Sequence, residues 1–150
     1  TLGPSTNLLG GCMSWRKVAV ASLTAFLFSG CASVAAPTAS ELAAADYGPP
    51  IAQAEAEALA KEVLATVLKD PYSAVYNCSA PEKGWRNDTV FEKYKKHYGY
   101  VLKCTVNAKN SYGGYVGAKP YEFVINNGHV IAAYGQQDAG SGVTYMGKIK

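Results

Sequence analysis

Two histidines, His97 and His129, are the first side chains to consider for chemistry, because neutral imidazole acts as a general base and as a metal ligand. His97 follows three lysines within residues 93–96, and His129 comes directly after Asn127-Gly128. Neither has a Cys, Asp or Glu neighbour at metal-ligand spacing, such as a second His four residues along a helix. We therefore expect both histidines to be solvated surface residues.

Acidic side chains and nucleophile motifs give no stronger sign of catalysis. Glu55, Glu57 and Glu62 are spaced as on the solvated face of a helix, not as a pair of catalytic carboxylates. The sequence contains no Gly-x-Ser-x-Gly elbow, phosphate-binding loop or dinucleotide fingerprint. This pattern predicts a non-enzymatic protein that needs no metal and no cofactor.

Residues 13–30 have the pattern of a secretory signal peptide. Arg16 and Lys17 make the opening positively charged, and the eleven residues 18–28 carry no charge. A bilayer-spanning helix needs about 20 apolar residues, so this run is too short to span. We interpret Met13 as the initiator and residues 1–12 as an upstream, non-native segment. The alternative is that the apolar run forms a buried helix of the folded domain.

The end of the apolar run, Leu27-Phe28-Ser29-Gly30-Cys31, resembles the lipobox of bacterial lipoproteins. The resemblance implies that Cys31 receives diacylglycerol, that the chain is cut on its amino side, and that the new amine is acylated. Several acyl chains would hold the protein on a membrane. Ala32 in place of Asp implies the outer membrane, with the protein facing the periplasm. Ordinary signal cleavage after Ala35 or Ala36 is the alternative.

Two further cysteines are expected to pair. With Cys31 lipidated and Cys12 outside the mature chain, Cys78 and Cys104 remain as an even pair in an oxidising compartment. Both lie on predicted strands, on the side assigned to the core. A disulfide closing their loop of about 27 residues would contribute about 3.5 kcal/mol in the chain-entropy model. Two buried free thiols are the alternative.

Composition and charge narrow the protein class. The chain of 150 residues is 49% hydrophobic, which fits one globular domain and not a disordered, collagen-like or polytopic membrane protein. Twelve of the 14 basic residues and all 11 acidic residues follow Cys31. This near-neutral balance does not support nucleic-acid binding. Residues 31–50, rich in Ala, Ser, Thr and Pro, are predicted to be the lipidated Cys31 and a flexible tether.

The hydrophobic pattern beyond residue 50 predicts one helix followed by strands. Apolar residues on one half of a helical wheel predict an amphipathic helix over 51–69, which Asp70-Pro71 would end. Alternating or apolar segments predict strands over 73–78, 98–107, 120–126 and 130–134. Asn127-Gly128 predicts a two-residue hairpin turn. Residues 79–84 are expected to be a loop, and residues 89–97 a short helix or a basic loop.

These elements predict an α+β fold in which one amphipathic N-terminal helix packs on a three- to four-stranded antiparallel sheet. The domain would cover residues 51–134. Residues 135–150 are Gly-rich and polar, and we expect them to form a loosely held tail.

The stretch 107–117 is the most distinctive candidate for binding. Its three glycines permit positive φ or close backbone approach, and its two tyrosines carry large amphipathic surfaces of the kind that interfaces use. The predicted interaction loop consists of Asn110, Tyr112, Gly113, Gly114 and Tyr115. The alternative is a wide hairpin loop with a bulge, its tyrosines folded back on the sheet.

Residues 68–74 and 106–117, together with Phe123, resemble a group of small bacterial exported proteins and lipoproteins that are uncharacterised. The resemblance covers about residues 55–130. It implies a shared fold and carries over no catalytic residue.

We therefore expect a non-enzymatic, lipid-anchored envelope protein whose domain contacts another envelope protein. Its contact surfaces would be the tyrosine loop and the cluster Lys93–His97. A periplasmic binder of small molecules or glycans, using the same tyrosines as stacking platforms, is the alternative, and an enzyme is the third possibility.

Overall fold

The computed structural model describes residues 36–89 and 93–150. This part of the chain forms two short helices and then six strands. The elements are α1 (Ala39–Ala44), α2 (Gln53–Ala65), β1 (Asp70–Cys78), β2 (Glu82–Asn87), β3 (Lys96–Lys109), β4 (Lys119–Asn126), β5 (His129–Gly140) and β6 (Val143–Lys148).

All six strands belong to one antiparallel sheet. The order is β1-β3-β4-β5-β6, and β2 also pairs with β3. β3 is long enough to take both partners on one edge: its first half pairs with β2 through Trp85 and Tyr98, and its second half pairs with β1 through Tyr76 and Val106. The Asn127-Gly128 turn joins β4 to β5, with φ of 50° and 74° as a two-residue hairpin requires.

The main core lies between α2 and one face of the sheet. Alternate residues of the central strands point to this face, as in the row formed by Leu102, Phe123 and Ala133. Ala56, Ala60, Val63 and Leu64 of α2 are buried against it. The buried strand residues of this core are Leu102, Cys104, Val106, Tyr121, Phe123, Ile125, Val130 and Ala133.

The face of the sheet opposite α2 is partly covered by β2 and the start of β3. Arg86 donates two hydrogen bonds from Nε and Nη2 to the carboxylate of Glu122. Arg86 pairs with His97 on β3, whereas Glu122 pairs with Lys103, six residues further along the same strand. In a flat sheet such positions would be on the order of 20 Å apart. The contact therefore requires that β2 and the start of β3 fold over the face opposite α2.

A close backbone approach accompanies this bend in β3. A Cβ atom at Gly99 would lie 2.3 Å from the carbonyl oxygen of Ile125, so only glycine fits there. Gly84 lies directly opposite Gly99 on β2. Under the bend, a second group of buried side chains packs on this face: Val101, Val124, Ala132 and Tyr134.

Helix α1 and the segment after it lie at the end of the sheet where β3 begins and β4 ends. Glu41 pairs with Lys96 at 3.0 Å, and the Asn126 side chain donates to the carbonyl of Asp46 at 2.9 Å. The rings of Tyr47 and Tyr98 meet edge to face, with centroids 5.9 Å apart. The β3–β4 connection lies at the opposite end of the same strands.

The disulfide between Cys78 and Cys104 confirms the predicted pair. The two cysteines are direct cross-strand partners, Cys78 being the last residue of β1. The bridge thus fixes β1 to β3 where their pairing ends.

The predicted fold class is wrong. The structure is mostly an antiparallel six-stranded sheet with two short helices, not one long helix on three or four strands. Helix α2 ends at Ala65, well before Lys69, because the hydroxyl and the N–H of Thr66 both turn back to the carbonyl of Val63. Helix α1 lies within the predicted tether and begins with a capping box of Thr38 and Glu41.

The strands that were not predicted, β2 and β6, lie in segments that were expected to be loop or tail. β2 is polar and contains Gly84, so it shows no hydrophobic alternation. The end of β5 and all of β6 lie within the predicted Gly-rich tail. There the glycines make room inside the sheet, since a Cβ at Gly135 would lie 2.6 Å from the Tyr121 ring and one at Gly147 would lie 2.5 Å from Gln137.

Candidate interaction surface

Exposed apolar side chains concentrate at one end of the sheet. Ten large apolar residues are exposed in the described part of the chain, and six of them lie where α2 ends, β1 begins and β3 connects to β4. Tyr72 is 100% exposed and Tyr112 is 97% exposed. Contiguous exposed apolar surface marks contact sites in soluble proteins. We call this surface the tyrosine end, and it consists of Val67, Tyr72, Val75, Tyr112, Tyr115 and Val116.

Asn110 holds the tip of the loop that carries Tyr112. Oδ1 of Asn110 accepts hydrogen bonds from the backbone N–H of Tyr112 at 2.9 Å and of Gly114 at 3.1 Å. The backbone of Asn110 exchanges further bonds with Gly113 and Gly114. Gly113 has a φ of 79°, which glycine adopts without strain. The loop therefore has a defined backbone that holds the Tyr112 ring out in solvent.

Tyr115 ties this loop to β1. Its hydroxyl donates to the backbone carbonyl of Ser73 at 3.2 Å, and the ammonium of Lys109 lies 5.5 Å from its ring centroid. Oγ of Ser73 in turn accepts from the N–H of Lys109 at 2.9 Å. Two segments more than thirty residues apart in sequence thus form one continuous surface.

The pairing of β1 is irregular around Tyr72 and Ser73. The pairing of β1 with β3 is regular from Val75 to Cys78 but shifts between Asp70 and Val75. Within the shift, Oδ1 of Asp70 accepts from the N–H of Ser73, which closes a local turn. Irregular pairing of this kind commonly redirects a side chain. Tyr72 directly precedes Ser73, whose carbonyl accepts the hydrogen bond from the Tyr115 hydroxyl.

The charge at the tyrosine end is positive. Residues 63–81 contain one acid, Asp70, and residues 93–121 contain none. Lys69, Lys109 and Lys119 line a groove of about 230 Å³ at this end. The ion pairs found among the described residues involve none of these three lysines. The surface therefore combines aromatic rings with ammonium groups, of which that of Lys109 lies over the Tyr115 ring.

A second cluster of titratable groups surrounds Asp88, which is 1% exposed, on the folded-over face. Its Oδ2 accepts from Nζ of Lys148 at 2.7 Å and from Nε2 of His97 at 2.9 Å, and its Oδ1 accepts from the hydroxyl of Tyr134 at 2.8 Å. Burial by itself raises the pKa of the Asp88 carboxyl. The hydrogen bonds from Lys148, His97 and Tyr134 outweigh burial and lower this pKa to about 2.

The Asp88 cluster is built to hold strands together. Its members come from β3, β5, β6 and the residue just after β2. Both carboxylate oxygens are occupied and shielded from solvent, so Asp88 does not present a free base to a substrate. The nearby pair of Arg86 and Glu122 also joins β2 to the sheet. The hydrogen bond from Arg86 lowers the pKa of Glu122. The cluster clamps β2 over the sheet.

The expected solvent exposure of His97 is therefore wrong, since this side chain is 8% exposed and bonded to Asp88. His129 is exposed, as predicted. The predicted basic surface Lys93–His97 does not form one patch, because Lys96 pairs with Glu41 while Lys93 and Lys95 are exposed.

The five residues of the predicted interaction loop do lie together. Tyr112, Gly113, Gly114 and Tyr115 are all exposed, and Asn110 organises them. The alternative was that both tyrosines fold back on the sheet. Tyr112 does not, and Tyr115 contacts β1 through its hydroxyl. Tyr72, Val75 and Val67 were missed. Cys31, the predicted lipidation site, lies outside the described residues.

Within residues 36–89 and 93–150, no three His, Cys, Asp or Glu side chains are grouped so that they could hold a metal ion. No helix in the same residues is long and apolar enough to cross a bilayer. Comparison with known proteins finds no matching family model, no similar curated protein and no similar solved structure.

Proposed function

We propose that this chain is an exported, non-enzymatic binding protein that is anchored to the outer membrane through lipid on Cys31 and contacts another protein of the cell envelope. The observation that carries the binding role is the concentration of six exposed large apolar side chains at the tyrosine end. Tyrosine supplies much contact area for little loss of side-chain entropy, which is why it is common at interfaces.

The disulfide supports the location outside the cytoplasm. Disulfides persist in oxidising compartments and are rare in the bacterial cytosol. The bridge between Cys78 and Cys104 therefore fits export. The lipobox-like residues before Cys31 add the anchor.

The anchor is tested on the protein purified from membranes. Intact-mass spectrometry is expected to show a mature N-terminus at Cys31 with the added mass of acyl chains. The Cys31→Ser variant is expected to keep its leader or to appear in the soluble fraction. A wild-type protein that is soluble and carries no acyl mass would remove the anchor from the account.

The contact surface is tested by co-purification from detergent-solubilised membranes. The double variant Tyr112→Ala/Tyr115→Ala is expected to lose partners that the wild type retains. Tyr145→Ala is a matched control, because Tyr145 is also an exposed tyrosine but lies on β6. Partners that are unchanged in the double variant would remove the tyrosine end as the contact surface.

A periplasmic glycan or small-molecule binder is the second candidate. It is favoured by the open faces of Tyr112 and Tyr72, since exposed rings can stack on apolar ligand faces. Titration with soluble envelope glycan fragments, followed by NMR of the tyrosine ring protons, tests this role. Shifts confined to the rings of the tyrosine end would support it, and unchanged spectra at millimolar glycan would exclude it.

A further inference from the structure

The groove beside the tyrosine end indicates what kind of partner binds there, and this inference rests on the proposed binding function. Its floor is apolar, made by residues from the segment after α2, from β3 and from the β3–β4 loop. The volume of about 230 Å³ is below the range of roughly 300–1,000 Å³ that is usual for small-molecule sites. It has room for one large apolar side chain. The apolar residues that line it are Val67, Leu68, Val106, Ala108 and Val116.

The rim of the groove carries charge of one sign. Lys69, Lys109 and Lys119 line it, and no lining residue is acidic. Asp70, the acid nearest in sequence, already accepts a hydrogen bond from the N–H of Ser73. Because every charged group that lines the groove is an ammonium, carboxylates beside an apolar side chain are the complementary chemistry.

We propose that the groove binds an acidic segment of another protein, which seats one large apolar side chain over Val116 and Leu68 and places carboxylates beside Lys69, Lys109 and Lys119. Tyr112 and Tyr115 flank this segment and cover it. Burial of the apolar side chain supplies binding energy, and the three lysines favour segments with carboxylates beside it.

Selection from a display library of random 12-residue peptides tests the proposal, with the full-length protein held in detergent as bait. We expect the enriched peptides to carry several Asp or Glu residues and one large apolar residue. We expect synthetic copies to bind the Lys69→Gln/Lys119→Gln variant at least tenfold more weakly. Lys93→Gln/Lys95→Gln is the matched control, since both lysines are exposed and lie at the other end of β3; its affinity is expected to stay within twofold.

Three results would overturn the proposal. These are enriched peptides without acidic bias, equal binding to both lysine variants, and binding to phosphatidylglycerol vesicles in place of peptides. A further result would separate this proposal from the proposed function. If the wild type retains a neutral or basic protein that Tyr112→Ala/Tyr115→Ala loses, the binding function stands and only the acidic chemistry of the partner is overturned.

Discussion

The hydroxyl of Tyr115 donates a hydrogen bond to the backbone carbonyl of Ser73, 42 residues earlier in the chain. This bond joins the β3–β4 loop to the irregular part of β1, and so brings Tyr112 and Tyr72 onto one surface. The tyrosine end therefore depends on contacts between distant segments as well as on the loop itself.

Removing that hydroxyl is expected to loosen the surface without unfolding the protein. Tyr115→Phe should lower the free energy of unfolding by about 0.5–1.5 kcal/mol, the usual net contribution of one hydrogen bond. Urea denaturation measures this change. Tyr112→Phe is the control, because the 97% exposed Tyr112 ring should contribute nothing measurable. Equal effects of the two variants would contradict the role of the Tyr115 contact.

Asn110 is expected to control the order of the loop. Asn110→Ala removes the acceptor of the N–H groups of Tyr112 and Gly114. Amide hydrogen exchange at these two positions should become at least tenfold faster, while exchange in the central strands stays unchanged. Asn127 does not touch this loop, so Asn127→Gly serves as a control variant that also satisfies the hairpin turn. Unchanged exchange at Tyr112 in Asn110→Ala would show that the loop is held in another way.

The Asp88 cluster predicts a loss of stability in acid. The pKa of Asp88 is lowered from 3.8 to about 2 in the folded protein, so the ionised carboxylate favours folding. This contribution, about 2 kcal/mol, is fully present above about pH 5 and is lost as the pH falls through about 2. Asp88→Asn should therefore be destabilised against wild type at pH 6, and the difference should shrink at pH 2 to 3.

Urea denaturation of both proteins across this pH range checks the prediction. Glu55→Gln is the matched control, because Glu55 is exposed on α2. Its difference from wild type should stay near zero at every pH. A constant difference between Asp88→Asn and wild type from pH 6 to pH 2 would contradict the assignment.

The disulfide is expected to stabilise the sheet. Cys78 and Cys104 are 26 residues apart, and the chain-entropy model gives about 3.5 kcal/mol for closing such a loop. Cys78→Ala/Cys104→Ala should lose stability of this order in urea denaturation under non-reducing conditions. Reduction of the wild type should produce a similar loss and leave the variant unchanged. A variant as stable as the wild type would show that the sheet does not depend on the bridge.

Local signals in the sequence predicted the parts of the fold that depend on neighbours in the chain. The strands over 73–78, 98–107, 120–126 and 130–134 all lie within observed strands, and the Asn127-Gly128 turn is present. The interaction loop was proposed from its three glycines and its two tyrosines.

The errors came from features that depend on distant residues. Gly135 and Gly147 suggested a loose tail, but they make room for Tyr121 and Gln137 inside the sheet. His97 appeared to be a surface residue, because its partner Asp88 is brought to it only when β2 pairs with β3.

The candidate surface was incomplete for the same reason. Tyr72 directly precedes the predicted strand over 73–78, so its side chain had no assigned direction. The pairing of β1 is irregular between Asp70 and Val75, and such an irregularity leaves little mark on a hydrophobic pattern. The capping box of Thr38 and Glu41, in contrast, is a local signal for a helix start, which the prediction of a flexible tether overlooked.

Site-specific photo-crosslinking in cells tests the central claim most directly. A benzophenone amino acid is placed at position 112 in the tyrosine end and, as the control, at exposed position 131 on β5. The account predicts a discrete crosslinked envelope protein from position 112 that is absent from position 131 and is lost when Tyr115→Ala is added. No crosslink at position 112, or the same product from both positions, would contradict the tyrosine end as the contact surface.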